Sequence, residues 1–264
     1  MTDYFEQIKK DFGDWGQLKT IGDFNKEFKK KLSEHNFGKD NSRLVFSVCP
    51  DDLNRLQEIE SIENFLTQKY NGEFHLGSLG SYPIGGITGI MAASHHPPDN
   101  VKNGERKHGN LVLFISPHMG IIENNGFLYG KIIRPGQEKL TTSCGAMMGF
   151  LDQLKKAGDP SNFKIVPDEN NIDITRITLH KELINNYSQR LKEILSIENQ
   201  NQQVISLVKL NYDVVMNKSK QMINEFLDRE KEHFKGNLIV FGGITINIPK
   251  KTLFIMKDVI LPKK

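Results

Sequence analysis

The sequence predicts an α/β protein, a central sheet flanked by helices, and three observations carry that prediction. Arg43 to Val48 and Leu111 to Ser116 are short runs rich in β-branched and aromatic residues, and the second is near-continuously apolar, as a strand buried on both faces must be. Between and after these runs lie segments in which Leu, Ile, Val and Phe recur at helical intervals. Strands alternating with helices favour a sheet with helices packed on it. At 264 residues the chain fits one large α/β domain, so residues 1–264 are read as a single domain with a helical N-terminal extension over residues 1–40.

The elements follow in order. Phe5, Ile8 and Phe12, then Phe24, Phe28 and Leu32, predict two amphipathic helices across residues 2–36, joined near Gly16 to Gly22 and packed outside the core. The strand Arg43–Val48 ends at Cys49-Pro50, after which Leu53, Leu56, Ile59, Ile62 and Phe65 recur every three residues and predict a helix. Glycines at 72, 77, 80, 85, 86 and 89 mark backbone that bends or approaches something closely, and His95-His96-Pro97-Pro98-Asp99 continues as irregular structure. Pro117-His118 terminates the strand Leu111–Ser116, and Cys144-Gly145-Ala146 opens a helix running through Leu151 and Leu154. Helices are predicted over Leu179–Leu195 and Gln202–Phe234, and paired strands over Asn237–Ile248 and Thr252–Ile255 across a Pro249-Lys250-Lys251 turn.

Composition narrows the function. Hydrophobic residues at 38% and charged residues at 25% describe an ordinary soluble globular protein. A net charge of +3, from 35 basic and 32 acidic residues, is too balanced for a nucleic-acid partner, and Lys29-Lys30-Lys31 reads as a solvated helix face. No stretch approaches the roughly 20 apolar residues of a membrane span. The N-terminal Met1-Thr2-Asp3-Tyr4-Phe5-Glu6 has neither the apolar core of a secretory signal nor the acid-poor character of a transit peptide. Two cysteines cannot staple a chain this long, so a reducing, cytoplasmic setting is expected.

The two cysteines are also the chief candidates for chemistry. Zinc takes thiolate and imidazole ligands tetrahedrally, and a catalytic site keeps three protein ligands and one open position. Cys49, His118 and Cys144 supply that set from the edges of three predicted elements, too far apart in sequence for a zinc finger, so a folded sheet must gather them. The alternative is that both cysteines are small buried hydrophobes. Met147, Met148 and Phe150 are read as core packing, and Phe46, Ile84 and Ile87 as core or as the wall of a small apolar pocket.

Cys49-Pro50-Asp51-Asp52-Leu53-Asn54-Arg55, Ser116-Pro117-His118-Met119-Gly120 and Ser143-Cys144-Gly145-Ala146, in that order, resemble the limiting-CO2-inducible protein B/C family, relatives of the β-carbonic anhydrases. The resemblance covers roughly Arg43 to Leu154. It implies a β-carbonic anhydrase-like central sheet, zinc held by Cys49, His118 and Cys144, and an Asp51–Arg55 dyad beside it. It also implies reversible hydration of carbon dioxide to bicarbonate, and a homodimer with its site near the subunit interface. Zinc brings the pKa of bound water toward about 7, giving a hydroxide that Asp51 can orient while Arg55 keeps the carboxylate charged. The family's relatives usually space Asp and Arg two residues apart, whereas Arg55 follows Asp51 by four. On a helix that spacing shares one face, and it equally suits a surface ion pair. His95 and His96 are candidate proton relays and competing imidazole ligands, or simply solvated loop residues. The non-enzymatic alternative is a silent zinc-containing module for binding or assembly. Thiol redox chemistry is disfavoured because no Cys-x-x-Cys pair is present.

Overall fold

The computed structural model describes residues 3–70, 73–98, 100–102, 105–107, 109–166, 170 and 172–262. Gly72, Asp99 and the first two residues, named above, lie outside them. Asp3 accepts from the amides of Phe5 and Glu6 to start helix α1 (Tyr4–Phe12), and Thr20 accepts from the Asp23 amide to start α2 (Ile21–Glu34). The segment between them adds a strand to the sheet that the sequence pattern does not announce, β1 (Gln17–Lys19). Strand β2 (Ser42–Val48) leads into the Cys49 loop and α3 (Ile62–Thr67), followed by β3 (Glu73–His75), α4 (Gly86–Ser94), β4 (Asn100–Lys102) and β5 (Glu105–Lys107). Then come β6 (Asn110–Ser116), β7 (His118–Glu123), β8 (Phe127–Tyr129), β9 (Lys131–Ile133), β10 (Leu140–Thr142) and α5 (Gly145–Ala157). The chain closes with α6 (Ile174–Asn186), α7 (Ser188–Leu195), α8 (Gln200–Arg229), β11 (Leu238–Ile248) and β12 (Lys251–Ile260).

The main sheet runs β1-β12-β11-β6-β2-β3, with β7 paired to β11 and β8. Strands β3, β2, β6 and β11 are parallel, and β12 and β1 turn it into a mixed sheet at one side. Every residue of β6 and β11 is buried, as their apolar composition requires. Period-two alternation sorts the side chains. Leu44, Phe46, Val112, Phe114, Ile239, Phe241 and Phe254 meet Phe24 and Phe28 of α2, whereas Val45, Leu111, Leu113, Ile115 and Val240 share a core with α4, α5 and α8. The N-terminal segment, expected outside the core, joins it on both sides: α2 covers one face of the sheet, and Ile8 and Phe12 of α1 pack into the cluster on the other.

Two other expectations need correction. The helix predicted across Leu53–Phe65 is a 3-10 turn at Asp52–Asn54 followed, after a loop, by the short α3. An apolar repeat of three residues drifts about 60° per step around an α-helix, so it never made one continuous stripe. Conversely, the glycine-rich segment contains α4, and the stretch between His118 and Cys144 folds into the β7–β8 and β9–β10 pairs.

Helix α6 contributes one unusual core residue. His180 is 3% exposed, its ring lies 5.0 Å from Phe150 and 5.5 Å from Phe163, and its Nδ1 has no hydrogen-bond partner among the described residues. Burial, helped by Arg176 and opposed by Asp173, pushes its pKa down to about 4. A depressed histidine pKa stabilises the fold fully above the unfolded value near 6.5 and loses that contribution as pH falls toward 4. Stability should therefore drop by about 2 kcal/mol between pH 7 and pH 5. Chemical denaturation of wild type and His180→Phe checks this, since the variant should lose most of that slope; an identical slope would show that other groups cause it.

Candidate metal centre

Strands β2 and β6 run parallel with Val48 opposite Ser116, so their carboxyl ends finish together and the residues that follow, Cys49 and Pro117-His118, emerge side by side. Proline ends the β6 pairing, and His118 opens β7, which continues along β11 with His118 opposite Thr245. Cys144 arrives from elsewhere, as the N-cap residue of α5, and two glycines permit the close approach. A Cβ on Gly77 would fall 2.3 Å from the Val48 carbonyl oxygen, and one on Gly120 would fall 2.9 Å from the Lys131 carbonyl and 3.0 Å from the Ser143 Cβ. The Gly120 amide also donates to the Ser143 carbonyl at 3.0 Å, tying β7 to the residue before Cys144.

The three side chains meet in a buried cluster, with candidate ligand atoms all within 4.8 Å of one another. The sulfurs of Cys49 and Cys144 are 3.6 Å apart. Two thiolates on one tetrahedral zinc, each at about 2.3 Å, would sit about 3.8 Å apart, whereas a disulfide needs about 2.05 Å. His118 is 1% exposed, and its Nε2 has no hydrogen-bond partner among the described residues. A buried nitrogen without a partner costs free energy unless something outside the chain satisfies it. The donor set, the spacing and the orphaned nitrogen together fit a thiophilic divalent metal.

The local electrostatics fit a pocket that shares protons until a metal replaces them. The Cys144 hydrogen bond and burial push the Cys49 thiol up. The Cys49 hydrogen bond pulls the Cys144 thiol down, against burial and with help from amides at the start of α5. Burial lowers the His118 pKa, but the Cys49 thiol, Asp51 and Asn247 outweigh it and raise it to about 9.

Asp51 lies beside this group, its Oδ2 3.7 Å from His118 Nε2. Its guanidinium partner is Arg134, not Arg55. Arg134 donates from both terminal nitrogens to the two carboxylate oxygens, at 2.8 and 3.1 Å, while also contacting Asp52 and donating to the Thr142 carbonyl at 3.2 Å. Against burial, which raises it, these bonds hold the Asp51 carboxyl below its usual range. Arg55 fails as the partner because Asp51 caps a 3-10 turn, where a four-residue spacing no longer shares a face. It pairs instead with buried Glu63 at 3.0 Å and with His75 at 2.8 Å, and burial raises Glu63 to about 7.

His95 and His96 do not reach the pocket. Helix α4 runs back along the sheet, so His95 caps its far end 3.8 Å from Glu230, and the His96 ring stacks on Phe74. The His96 carbonyl accepts from Arg43 at the opposite end of β2, about 20 Å of strand from Cys49. Phe46 stacks on His75 and packs against Phe114 on the α2 side, and Ile84 is exposed, whereas Met147, Met148 and Phe150 are core residues. Sequence reasoning missed Arg134, just after β9 in the segment between His118 and Cys144, and Asn247, which accepts from His118 Nδ1 at 2.8 Å. Neither stands in a motif with the ligands.

These features define a mixed α/β protein with a metal-capable thiolate–imidazole pocket at the carboxyl edge of its sheet. The family model for limiting CO2-inducible proteins B/C beta carbonic anhydrases matches residues 18–262, and the chain belongs to that family. Its fold matches the crystal structure of PtLCIB4, a homolog of the limiting CO2-inducible protein LCIB, at a TM-score of 0.72 and 24% identity over 96% of this chain and 93% of that one. It matches the limiting CO2-inducible protein LCIB itself at 0.67 and 15% identity over 99% of each chain. No curated protein matches the sequence. The β-carbonic anhydrase-like sheet expected from the sequence is therefore present, and no helix among the described residues is long and apolar enough to cross a membrane.

Elemental analysis of the purified protein should find about one thiophilic divalent metal per chain, lost in both Cys49→Ser and Cys144→Ser. Full metal content in either variant would remove that thiol from the site.

Proposed function

We propose that this protein is a zinc-dependent carbonic anhydrase that interconverts carbon dioxide and bicarbonate. The observation that carries the reading is His118 Nε2, without a hydrogen-bond partner among the described residues, buried beside two thiols and 3.7 Å from a carboxylate held in a bidentate clamp. Cys49, His118 and Cys144 are the proposed zinc ligands. Zinc held there supplies the Lewis acidity that ionises water near neutral pH.

The protein's own residues then place the reactants. Asp51 accepts a hydrogen bond from the attacking water and turns its lone pair toward the carbon of carbon dioxide. Arg134 holds Asp51 ionised, because the paired guanidinium makes protonation of that carboxyl unfavourable, and its two-point grip fixes the plane of the carboxylate. The Leu53 amide donates to Asp51 Oδ1 at 3.2 Å and completes the clamp. Family membership supports the substrate pair and a homodimer, and the two free thiols support a reducing, cytoplasmic setting.

Stopped-flow hydration of carbon dioxide separates this reading from a silent metal-containing module. Wild type should be active, and both Asp51→Asn and Arg134→Ala should lose at least about tenfold in kcat/KM while keeping their zinc. Arg55→Ala should stay within about threefold, because its contacts lie with Glu63 and His75. Zinc-loaded wild type without activity would favour the module.

A further inference from the structure

His118 touches one side chain firmly, and that side chain is oriented by a chain of hydrogen bonds that begins at a ligand's own backbone. Asn54 Nδ2 lies 3.4 Å from the Cys49 carbonyl oxygen, which can only accept, so this end of Asn54 is the donor. Its Oδ1 consequently faces Asn247 and accepts from Asn247 Nδ2 at 3.1 Å. Asn247 is then left with its Oδ1 toward His118, 2.8 Å from Nδ1. An amide oxygen offers no proton, so Nδ1 of His118 must carry the hydrogen whatever the charge on the ring. Ser143 Oγ, 3.4 Å from the same Nδ1, can accept as a weaker second partner.

The groups are held as well as oriented. Asn54, His118 and Asn247 are 0%, 1% and 1% exposed, so no water competes for these bonds. Ser61 Oγ donates to the Asn54 carbonyl at 2.7 Å, and Asn247 sits near the end of β11, paired with Gly120 of β7 on one side and on the other with Thr252 of β12, whose hydroxyl accepts the Ile62 amide at 3.0 Å. The far ring nitrogen, Nε2, is the one left without a partner among the described residues.

We propose that Asn247, oriented by Asn54 through the Cys49 carbonyl, is a positioning residue that commits Nδ1 of His118 to hydrogen bonding and delivers Nε2 to the metal. This rests on the metal-centre reading above, and deepens it by making the imidazole ligand depend on the backbone of a thiolate ligand. The three ligands alone are then insufficient, because a ring free to turn or to place its proton on Nε2 presents a donor where the metal needs a lone pair.

The test measures zinc affinity by competition with a chromophoric chelator for wild type, Asn247→Leu and Asn247→Asp. Wild type should bind one zinc, Asn247→Leu should bind it about 10- to 100-fold more weakly, and Asn247→Asp, which still accepts from Nδ1, should recover most of the loss. NMR of the wild type loaded with cadmium-113 and labelled with nitrogen-15 histidine needs no variant and should show metal coupling to Nε2 of His118. Zinc affinity unchanged in Asn247→Leu, or cadmium coupled to Nδ1, would overturn the role of Asn247 while leaving the metal centre intact. Wild type that binds no zinc would instead overturn the metal-centre reading and this inference with it.

Discussion

The pocket depends on the parallel register of β2 and β6. Because Val48 lies opposite Ser116, two strands end at one level, and the residues that follow them are delivered to the same point of the sheet edge. Parallel strands share a direction, so their carboxyl ends necessarily lie together, which is why open α/β sheets concentrate chemistry there. A one-residue slip would turn the side chain of Cys49 to the α2 face, where Phe46 and Val48 already point. The apolar interior therefore does more than stabilise: its alternation decides which side of the sheet receives the thiol.

Strand β11 completes what that register begins. Its first half pairs with β6 and its second half with β7, and the break at Pro117 is what lets one long strand support both. The Thr245 amide donates to the Pro117 carbonyl at 2.9 Å, and Thr245 shares a 2.7 Å hydroxyl hydrogen bond with Ser116, so the discontinuity is sealed from β11. The same strand presents Asn247 to His118. A proposed ligand near the middle of the chain is thus held by a strand near its end, so the C-terminal hairpin contributes directly to the pocket.

The parts of this arrangement visible in the sequence were those with local signals. The buried runs before Cys49 and Pro117, and the apolar repeat after Cys144, mark elements by their own composition, and the ligands stand at their boundaries. Arg134 and Asn247 carry no such signal, since a guanidinium just past a strand end and an amide on a strand look like any polar position until the fold shows what faces them. Arg55 misled because a four-residue spacing matters only on an α-helix, and Asp51 instead starts a 3-10 turn. His95 and His96 misled differently: nearness in sequence to the glycine-rich bend hid the turn-by-turn retreat of α4 from the site.

Charge explains why Arg134 matters beyond orientation. On the proposed reading, two thiolates balance a divalent ion, and Asp51 stands close enough to His118 Nε2 to compete for the remaining position. A carboxylate entering that position would add negative charge in a buried pocket and abandon its guanidinium, leaving Arg134 with Asp52 and the Thr142 carbonyl. The bidentate pair therefore opposes closure by two effects that act together, neutralising Asp51 where it stands and making its departure costly. Arg134 lies just after β9, and β9–β10 is a two-stranded pair outside the main sheet, with exposed Ile133 and Leu140 opposite one another on it. On that reading the open position is guarded from a peripheral element, whereas the proposed ligands are held by the core.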